Sequence, residues 1–292
     1  MNTHINTTNQ HKIYSAIAKS YPVSEETKEF LKRTYDLSDK QIEAHIIAPI
    51  DTNIVDKLSH SAGIQTSELI GIPGFFRDPV TNQLTFYSYD GALCAILNRN
   101  ANGEINGIMA KFKSKKPSSL WYSSKNLPEG MTSGAPMGVI QGMGSEDNET
   151  VHIAVCAGFF NACTIARTMR IDYVIYANMI QCSAELSSYL LTLADTRPIS
   201  VLILPDTICW SNPLVMKAIL KIITTVANHT KNIQMLAWPS HCGTNYGDVL
   251  RNGFQSKVRI RPTEAFLSAA SKYALNNNNL LQYIDNVQSK VR

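Results

Sequence analysis

The sequence lacks the features that mark several common classes of protein. Its six cysteines include no Cys-x-x-Cys pair, which argues against a zinc ribbon and leaves no readable disulfide framework. No run approaches the roughly eighteen uncharged apolar residues that a membrane span needs, and the opening MNTHINTTNQHKIY contains no signal-peptide core. We therefore expect a soluble, cytoplasmic chain without a membrane partner, whose cysteines are buried free thiols.

Common catalytic signatures are missing as well. The chain contains no GxSxG elbow, no Walker lysine loop, no HExxH and no GxGxxG placed after a strand. His241 and Cys242 are neighbours and could form a nucleophile pair, but adjacency in sequence does not create hydrogen-bond geometry. These absences argue against the hydrolase, P-loop and dinucleotide-binding classes that such motifs identify.

The composition that is present is typical of a globular protein. Of 292 residues, 44% are hydrophobic and 17% are charged, which is enough for one large or two modest packed domains. The net charge of +4 is compatible with a polyanionic partner but does not establish one, because many cytoplasmic enzymes are as basic. The distribution of the charge is more informative than its sum.

The first half of the chain changes from helical to strand patterns. Residues 1–68 are predicted as a helical lead-in, in which Ser24 and Ser38 are typical N-caps. In residues 69–148, short runs rich in β-formers are separated by turn sequences such as Asp90-Gly91, which predicts a small antiparallel subdomain. The end of this segment, residues 126–148, is rich in Gly, Ser, Pro and Met and is predicted as a connector.

The second half alternates buried strands with helices. Four apolar runs, separated by helical segments, carry this pattern: VHIAVCAG, DYVIYAN, SVLILPD and IQMLAW. Parallel strands with crossover helices produce such alternation, so residues 149–255 are predicted as an α/β domain. Residues 256–292 are predicted as a helical tail.

Candidate site residues follow the ends of these strands. Ligands of an open parallel sheet bind outside the carboxyl ends of the strands, and only Asp206 and Asp248 supply carboxylates there. Either could be a residual metal or phosphate ligand, and either could be an ordinary capping side chain. Gly158 and Asn161, at a helix start, could instead accept a phosphate on backbone N–H groups or serve tight strand-to-helix packing.

A basic segment interleaved with aromatic residues is the stronger signal for nucleic acid. Between Glu104 and Glu129 lie lysines and no acid, and cations with exposed rings can bind phosphates and stack bases. The predicted contacts are Lys111, Lys113, Lys115, Lys116, Lys125, Trp121 and Tyr122. Strand alternation assigns Phe112 to the core and Lys111 with Lys113 to the opposite face. The alternative is a solvated loop with structural aromatics.

A second basic run lies near the end of the α/β segment. It consists of Arg251, Lys257, Arg259 and Arg261, with no acid between Asp248 and Glu264. Lys257, Arg259 and Arg261 share one face if KVRIR is extended, and we predict that they contact nucleic acid. The alternative is a charged sheet edge that discourages strand pairing.

The order of these segments resembles the polymerase core of bacterial primases. It resembles more closely the Toprim-like domain of proteins that accompany replication genes in mobile elements. The segments that carry the resemblance lie between about residues 20 and 255: LKRTYDLSDKQIEAH (31–45), GIPGFF (71–76), NGEINGIMAKF (102–112) and LWYSS (120–124). The resemblance implies a Toprim-like parallel sheet with flanking helices, preceded by a helical lead-in and a small antiparallel subdomain.

The resemblance also implies an altered metal site. A Toprim site uses a glutamate after its first strand and an Asp-x-Asp pair after a later one, because carboxylate oxygens hold Mg²⁺ against a phosphate. The corresponding positions here are Ala157-Gly158 and Asp206-Thr207-Ile208, and Asp248 could match a weaker third acid. Glu185 could substitute for a missing acid, although a surface role is simpler. Asp206 is thus the candidate metal ligand of a depleted site.

These observations favour a primase-like, nucleic-acid-binding protein whose metal site is degenerate. It would bind single-stranded DNA or RNA in the replication or maintenance of a mobile element, and a replication helicase or polymerase is a further candidate partner. No cofactor is expected, although Mg²⁺ would be needed if the residual acids are active. Two alternatives stay open: an active metal-dependent primase, nuclease or nucleotidyl transferase, and a non-catalytic protein-interaction module.

Overall fold

The structure is a computed structural model that describes residues 7–114, 117–177 and 183–291. Its contacts divide the chain into two units, Met1–Pro136 and Met137–Arg292. Within the described ranges, no helix is long and apolar enough to cross a membrane.

The helices of the first unit begin where the sequence places capping residues. They are α1 (Thr7–Ser20), α2 (Glu25–Tyr35), α3 (Asp39–His45), α4 (Ile54–Ala62) and α5 (Thr66–Leu69). The hydroxyl of Ser24 accepts from the backbone N–H of Thr27, and Ser38 forms a capping box with Gln41. Both N-caps were predicted, because a Ser oxygen can satisfy a backbone donor that the first turn leaves free.

The predicted antiparallel sheet is present in the first unit. Its strands are β1 (Ile46–Ile47), β4 (Ala92–Arg99), β5 (Ile105–Phe112) and β6 (Ser119–Trp121), in the order β1-β4-β5-β6, and a separate ribbon pairs β2 (Phe75–Arg77) with β3 (Leu84–Phe86). Alternate residues of β5, Ile108, Ala110 and Phe112, belong to the buried core together with side chains of α1 and α4. Phe112 is therefore a core residue, as predicted.

The ribbon of β2 and β3 depends on a glycine in the GIPGFF segment. Phe75 pairs with Phe86, and their ring centroids lie 4.8 Å apart in the core. Gly74 has φ +96°, and a Cβ added there would lie 2.4 Å from Cε2 of Phe86. The ring of Phe86 can cover the backbone at this position only because no side chain is present.

A six-stranded sheet forms the centre of the second unit. Its strands are β7 (Gly138–Gln141), β8 (Val151–Ala157), β9 (Tyr173–Ala177), β10 (Ile199–Leu204), β11 (Ile233–Ala237) and β12 (Arg259–Pro262), in the order β12-β11-β10-β8-β9-β7. The four central strands are parallel, and the two outer strands pair antiparallel with them. The apolar runs of the sequence thus became buried parallel strands, as their continuous hydrophobicity indicates.

Helices cover this sheet unequally. The helices of the second unit are α6 (Phe159–Thr168), α7 (Ser183–Ala194), α8 (Pro213–Ala227), α9 (Tyr246–Arg251), α10 (Thr263–Tyr273) and α11 (Asn278–Val291). One core joins side chains of α7, α8, α10 and α11 to the strand residues Ile153, Val155, Val201 and Ile203. Helix α6 packs on β8 and β9 and against α9. The mixed α/β class with a mostly parallel sheet is as predicted.

Two strands lie outside the segment predicted as the α/β domain. Strand β7 falls in the predicted connector, and its residues Gly138 to Gln141 pair with β9. Strand β12 falls in the predicted helical tail and pairs with β11. Both are four residues long and lie at a sheet edge, so neither produces the long apolar run that marks the central strands. The helices predicted after them are present as α10 and α11.

The described cysteines are free and buried, as predicted. They are Cys94, Cys156, Cys163, Cys209 and Cys242. The remaining cysteine, Cys182, lies outside the described residues.

We predict that Gly74→Ala destabilises the first unit strongly. The new Cβ would clash with Phe86 and would also require a backbone conformation that L residues rarely adopt, so the free energy of unfolding should fall by roughly 3 kcal/mol. Urea denaturation measures this difference.

The matched control is Gly71→Ala. Gly71 has φ +79° but no atom within 4 Å of an added Cβ, so it reports backbone strain alone, roughly 1 kcal/mol. Equal losses for the two variants would show that packing of Phe86 against Gly74 is unimportant.

Candidate functional site

The strand order of the second unit places a topological switch point at the carboxyl ends of β8 and β10, and we call this edge, bordered by Gly158 and Asp206, the crevice. From β8 the chain passes to β9 on one side, and then returns to β10 on the other side of β8. Connections diverge at such a switch point, which is where open α/β sheets bind ligands. Cys156 and Leu204 are paired in register, so the loops that begin at Gly158 and Asp206 start side by side.

Asp206 has an unusual electrostatic environment. Its Oδ1 atom is buried and has no hydrogen-bond partner among the described residues. Burial raises the pKa of Asp206 to about 7, and the nearby carboxylate of Asp248 adds to the rise. Cys156 and Cys209 are also buried, and their burial together with the nearby Asp206 carboxylate raises the pKa of both thiols. Asp206 is therefore easily protonated near neutral pH.

Asp248 is already occupied by groups of its own helix. It is the third residue of α9 and forms a capping box with Asn245, whose Nδ2 lies 3.0 Å from Asp248 Oδ2. Nη2 of Arg251 lies 2.6 Å from Asp248 Oδ1. The capping alternative considered from the sequence is thus observed, and Arg251 forms an ion pair with the carboxylate.

Gly158 and Asn161 have different surroundings. Gly158 precedes α6 with φ +76°, is exposed, and has open space where a Cβ would lie. Asn161 is buried, and its side-chain oxygen accepts from the backbone N–H of Gly247 at 3.1 Å. The amide of Asn161 therefore holds α9 against α6. Phosphate binding at Gly158 stays a prediction.

The residues at this edge fit a divalent cation poorly. Within residues 7–114, 117–177 and 183–291, no three His, Cys, Asp or Glu side chains are grouped so that they could hold a metal ion. Glu185 does not complete a group, because its Oε2 accepts from the backbone N–H of Met137 at 2.8 Å. Mg²⁺ in phosphate-handling sites is usually held by one or two carboxylates and by the substrate. Among the described residues at this edge, the oxygens of Asp248 have hydrogen-bond partners, whereas Asp206 Oδ1 has none.

The basic segment of the first unit is less exposed than predicted. Lys111 lies on the face of β5 opposite Phe112, but it is only 6% exposed, because Tyr35 of α2 covers it with a ring centroid 5.4 Å from Nζ. Burial lowers the pKa of Lys111. Lys113 is exposed, with Nζ 5.0 Å from the ring centroid of Phe30. Lys115 and Lys116 lie outside the described residues.

The two aromatic candidates of this segment also differ. Tyr122 is 1% exposed, so the prediction that its ring is available for stacking is wrong in this structure. Trp121 is partly exposed and packs on Gly107, where an added Cβ would lie 2.6 Å from Cζ3 of Trp121. Lys125 is exposed and makes no ion pair within the described part of the chain. Lys113, Lys125 and Trp121 are thus the accessible members.

The second basic run does not form the continuous face that KVRIR suggested. Lys257 ends a short 3-10 turn before β12, so only Arg259 and Arg261 share a strand face. Both arginines are exposed, and Nη1 of Arg259 donates to the carbonyl oxygens of Ser256 and Val258 at 2.7 Å. Arg251 is bound to Asp248. Nucleic-acid contact by these residues stays a prediction.

Sequence analysis missed a row of aromatic rings on the ribbon of the first unit. The ring centroids of Phe76 and Tyr87 lie 6.3 Å apart, and those of Tyr87 and Tyr89 lie 4.9 Å apart. The alternation of FYSY is a signal that would place Tyr87 and Tyr89 on one face of an extended segment, although β3 itself ends at Phe86. The contribution of Phe76 depends on the pairing of β2 with β3, which the sequence does not fix.

Comparison with solved structures defines the class of the fold, which is the primase-like Toprim fold. A DNA primase domain from Pseudomonas aeruginosa aligns with TM-score 0.62 and 14% identity over 97% of this chain and 94% of that one. The DnaG primase catalytic domain bound to ssDNA aligns with TM-score 0.61 and 13% identity over 97% of both chains. Zinc-binding and RNA polymerase domains of the Aquifex aeolicus primase align with TM-score 0.57 and 11% identity, over 98% of this chain and 72% of that one.

At these identities the likeness concerns the fold and not the activity. No protein-family model matches the sequence, and no curated protein matches it significantly. The chain is therefore similar in fold to bacterial primase cores.

We predict that Asp206→Asn weakens the pH dependence of stability. An acid whose pKa is raised on folding binds more protons in the folded state, so wild-type stability falls as pH rises from about 4 to about 7. Between pH 5 and pH 8, the free energy of unfolding should fall by roughly 2 kcal/mol more in wild type than in the variant, because the variant lacks the carboxyl group whose ionisation destabilises the folded state. Urea unfolding at both pH values measures this difference.

The control for this measurement is Asp195→Asn. Asp195 is exposed at the end of α7, so its removal should leave the wild-type pH dependence in place. If the free energy of unfolding changed equally with pH in wild type and Asp206→Asn, Asp206 would be ionised in the folded state at both pH 5 and pH 8.

Proposed function

We propose that this chain is a primase-like protein that binds single-stranded nucleic acid without using a divalent metal. Its role would be in DNA replication or in the maintenance of a mobile element. Binding would use the accessible cations Lys113 and Lys125 for phosphates and exposed aromatic rings for bases. Catalysis of primer synthesis is not part of this function.

The observation that carries the proposal is the chemistry of the crevice at β8 and β10. The positions where the Toprim resemblance implies carboxylates hold Ala157 and Ile208. Of the two remaining acids, Asp248 is bound by Arg251, and burial favours the protonated form of Asp206. A protein that keeps the primase fold with such a crevice is suited to binding, and poorly suited to stabilising a metal-bound phosphate.

A similar structure supports the choice of ligand. The DnaG catalytic domain of the comparison is a complex with ssDNA, and its fold extends over 97% of this chain. Single strands are bound by cations that track phosphates and by rings that stack bases. The first unit offers exposed groups of both kinds.

The direct test is fluorescence anisotropy with a short single-stranded oligonucleotide across a salt series, with and without Mg²⁺. We expect binding that weakens steeply with salt and does not depend on Mg²⁺. The slope of log K against log salt is negative, and the double variant Lys113→Ala/Lys125→Ala should reduce its magnitude by roughly 1.5, because two phosphate contacts are lost.

The charge-matched control is Lys221→Ala/Lys272→Ala, which removes two exposed lysines of the second unit. It should keep the wild-type slope. Equal slopes for both double variants would mean that Lys113 and Lys125 do not track phosphates. Absence of binding at every salt concentration would instead favour a protein-interaction module.

A metal-dependent primase, nuclease or nucleotidyl transferase is the second candidate. It is favoured by the buried Oδ1 atom of Asp206, a carboxylate oxygen without a partner among the described residues. Mg²⁺-dependent turnover that is lost in Asp206→Ala would support this candidate and overturn the metal-independent proposal.

A further inference from the structure

The outer face of the ribbon formed by β2 and β3 carries aromatic side chains away from the core. Phe75 and Phe86 point into the core, so their neighbours Phe76 and Tyr87 lie on the opposite face. The backbone N–H of Tyr87 donates to the carbonyl of Gly74 at 2.8 Å, which continues the pairing past β3. Tyr89 lies beyond the end of β3, and its ring contacts Tyr87 while packing partly against the core. We call Phe76, Tyr87 and Tyr89 the aromatic row.

The aromatic row is accessible and held in place. Tyr87 is 37% exposed, and Phe76 and Tyr89 are partly exposed. Tyr89 is anchored, because its hydroxyl donates to the carbonyl of Trp121 at 2.8 Å and its ring contacts buried Tyr122 at a centroid distance of 5.0 Å. The hydrogen bond and the contact with Tyr122 hold the ring of Tyr89 in place, so less conformational entropy is lost when a ligand stacks on the row.

We infer that the aromatic row is a stacking platform for the bases of single-stranded nucleic acid. This inference rests on the proposed function and identifies which part of the chain contacts bases. The three rings contact one another at centroid spacings of 6.3 Å and 4.9 Å, and the exposed ring of Tyr87 can accept a stacked base. Every base has a π face, so such a platform would bind strands of any base sequence.

The small net charge around the aromatic row favours a ligand whose bases can stack, rather than an acidic peptide, because charge alone supplies little of the binding. The loop that contains Lys125 runs along β2, since Ser124 Oγ donates to the Phe75 carbonyl at 2.7 Å and the Arg77 N–H donates to the Pro128 carbonyl at 2.8 Å. Lys125 can thus neutralise a phosphate near the rings. Asp90, next to Tyr89, is also exposed, so the surface is not strongly positive, and base contacts must supply much of the binding.

The experiment compares two oligonucleotides of equal length and charge, one of thymidines and one of abasic sites. Anisotropy is measured at one salt concentration for wild type, Tyr87→Ala and Tyr87→Phe in the full chain. We expect wild type to prefer the thymidine strand. Tyr87→Ala should lose about tenfold in affinity for that strand and little for the abasic strand, because one base contact is removed. Tyr87→Phe keeps the ring and should bind like wild type.

The outcomes separate this inference from the proposed function. If wild type binds both strands equally and Tyr87→Ala matches it, the platform is wrong while nucleic-acid binding stands. If Tyr87→Ala loses affinity for both strands equally, Tyr87 acts on phosphates or on the fold, and the platform is again wrong. If wild type binds neither strand, the proposed function and the platform both fail.

Discussion

The pairing of β8 with β10 is the constraint on which the second unit depends. Six consecutive residue pairs, from Ile199 with Val151 to Leu204 with Cys156, join two strands that are far apart in sequence. This pairing makes the chain leave the sheet centre in two directions, and it aligns the carboxyl ends of both strands. Without it, Gly158 and Asp206 would not border one crevice, and the core between the sheet and α8 would lose its central strands.

The crevice differs from a metal site in how its charge is balanced. Asp248 pairs with a guanidinium of its own helix, and burial raises the pKa of Asp206 to about 7. Arg251 reaches Asp248 because residues three apart lie on one side of α9. Asn161 then fixes the position of α9 through the N–H of Gly247. Packing of α9 against α6 therefore fixes where Asp248 and its partner Arg251 lie relative to Asp206.

Features that depend on a few neighbouring residues could be predicted from the sequence. Features that depend on contact with a distant helix or strand could not. The apolar runs gave β8 to β11, and Ser24 and Ser38 gave helix starts, because these signals are contained in a few neighbouring residues. Alternation correctly placed Lys111 opposite Phe112, but it could not show that Tyr35 covers that face. Strand β7 was missed for a related reason, since a four-residue edge strand is recognisable only through its partner.

The buried thiols have a consequence for how the motions of the two units can be followed. Cys94 lies in the first unit, whereas Cys156, Cys163, Cys209 and Cys242 lie in the second. A thiol reagent can reach these side chains only when the surrounding structure opens, so the rate of modification at each cysteine reports a local opening equilibrium. Cys94 in β4 and Cys156 in β8 are therefore natural reporters of local opening in the antiparallel and the parallel sheet.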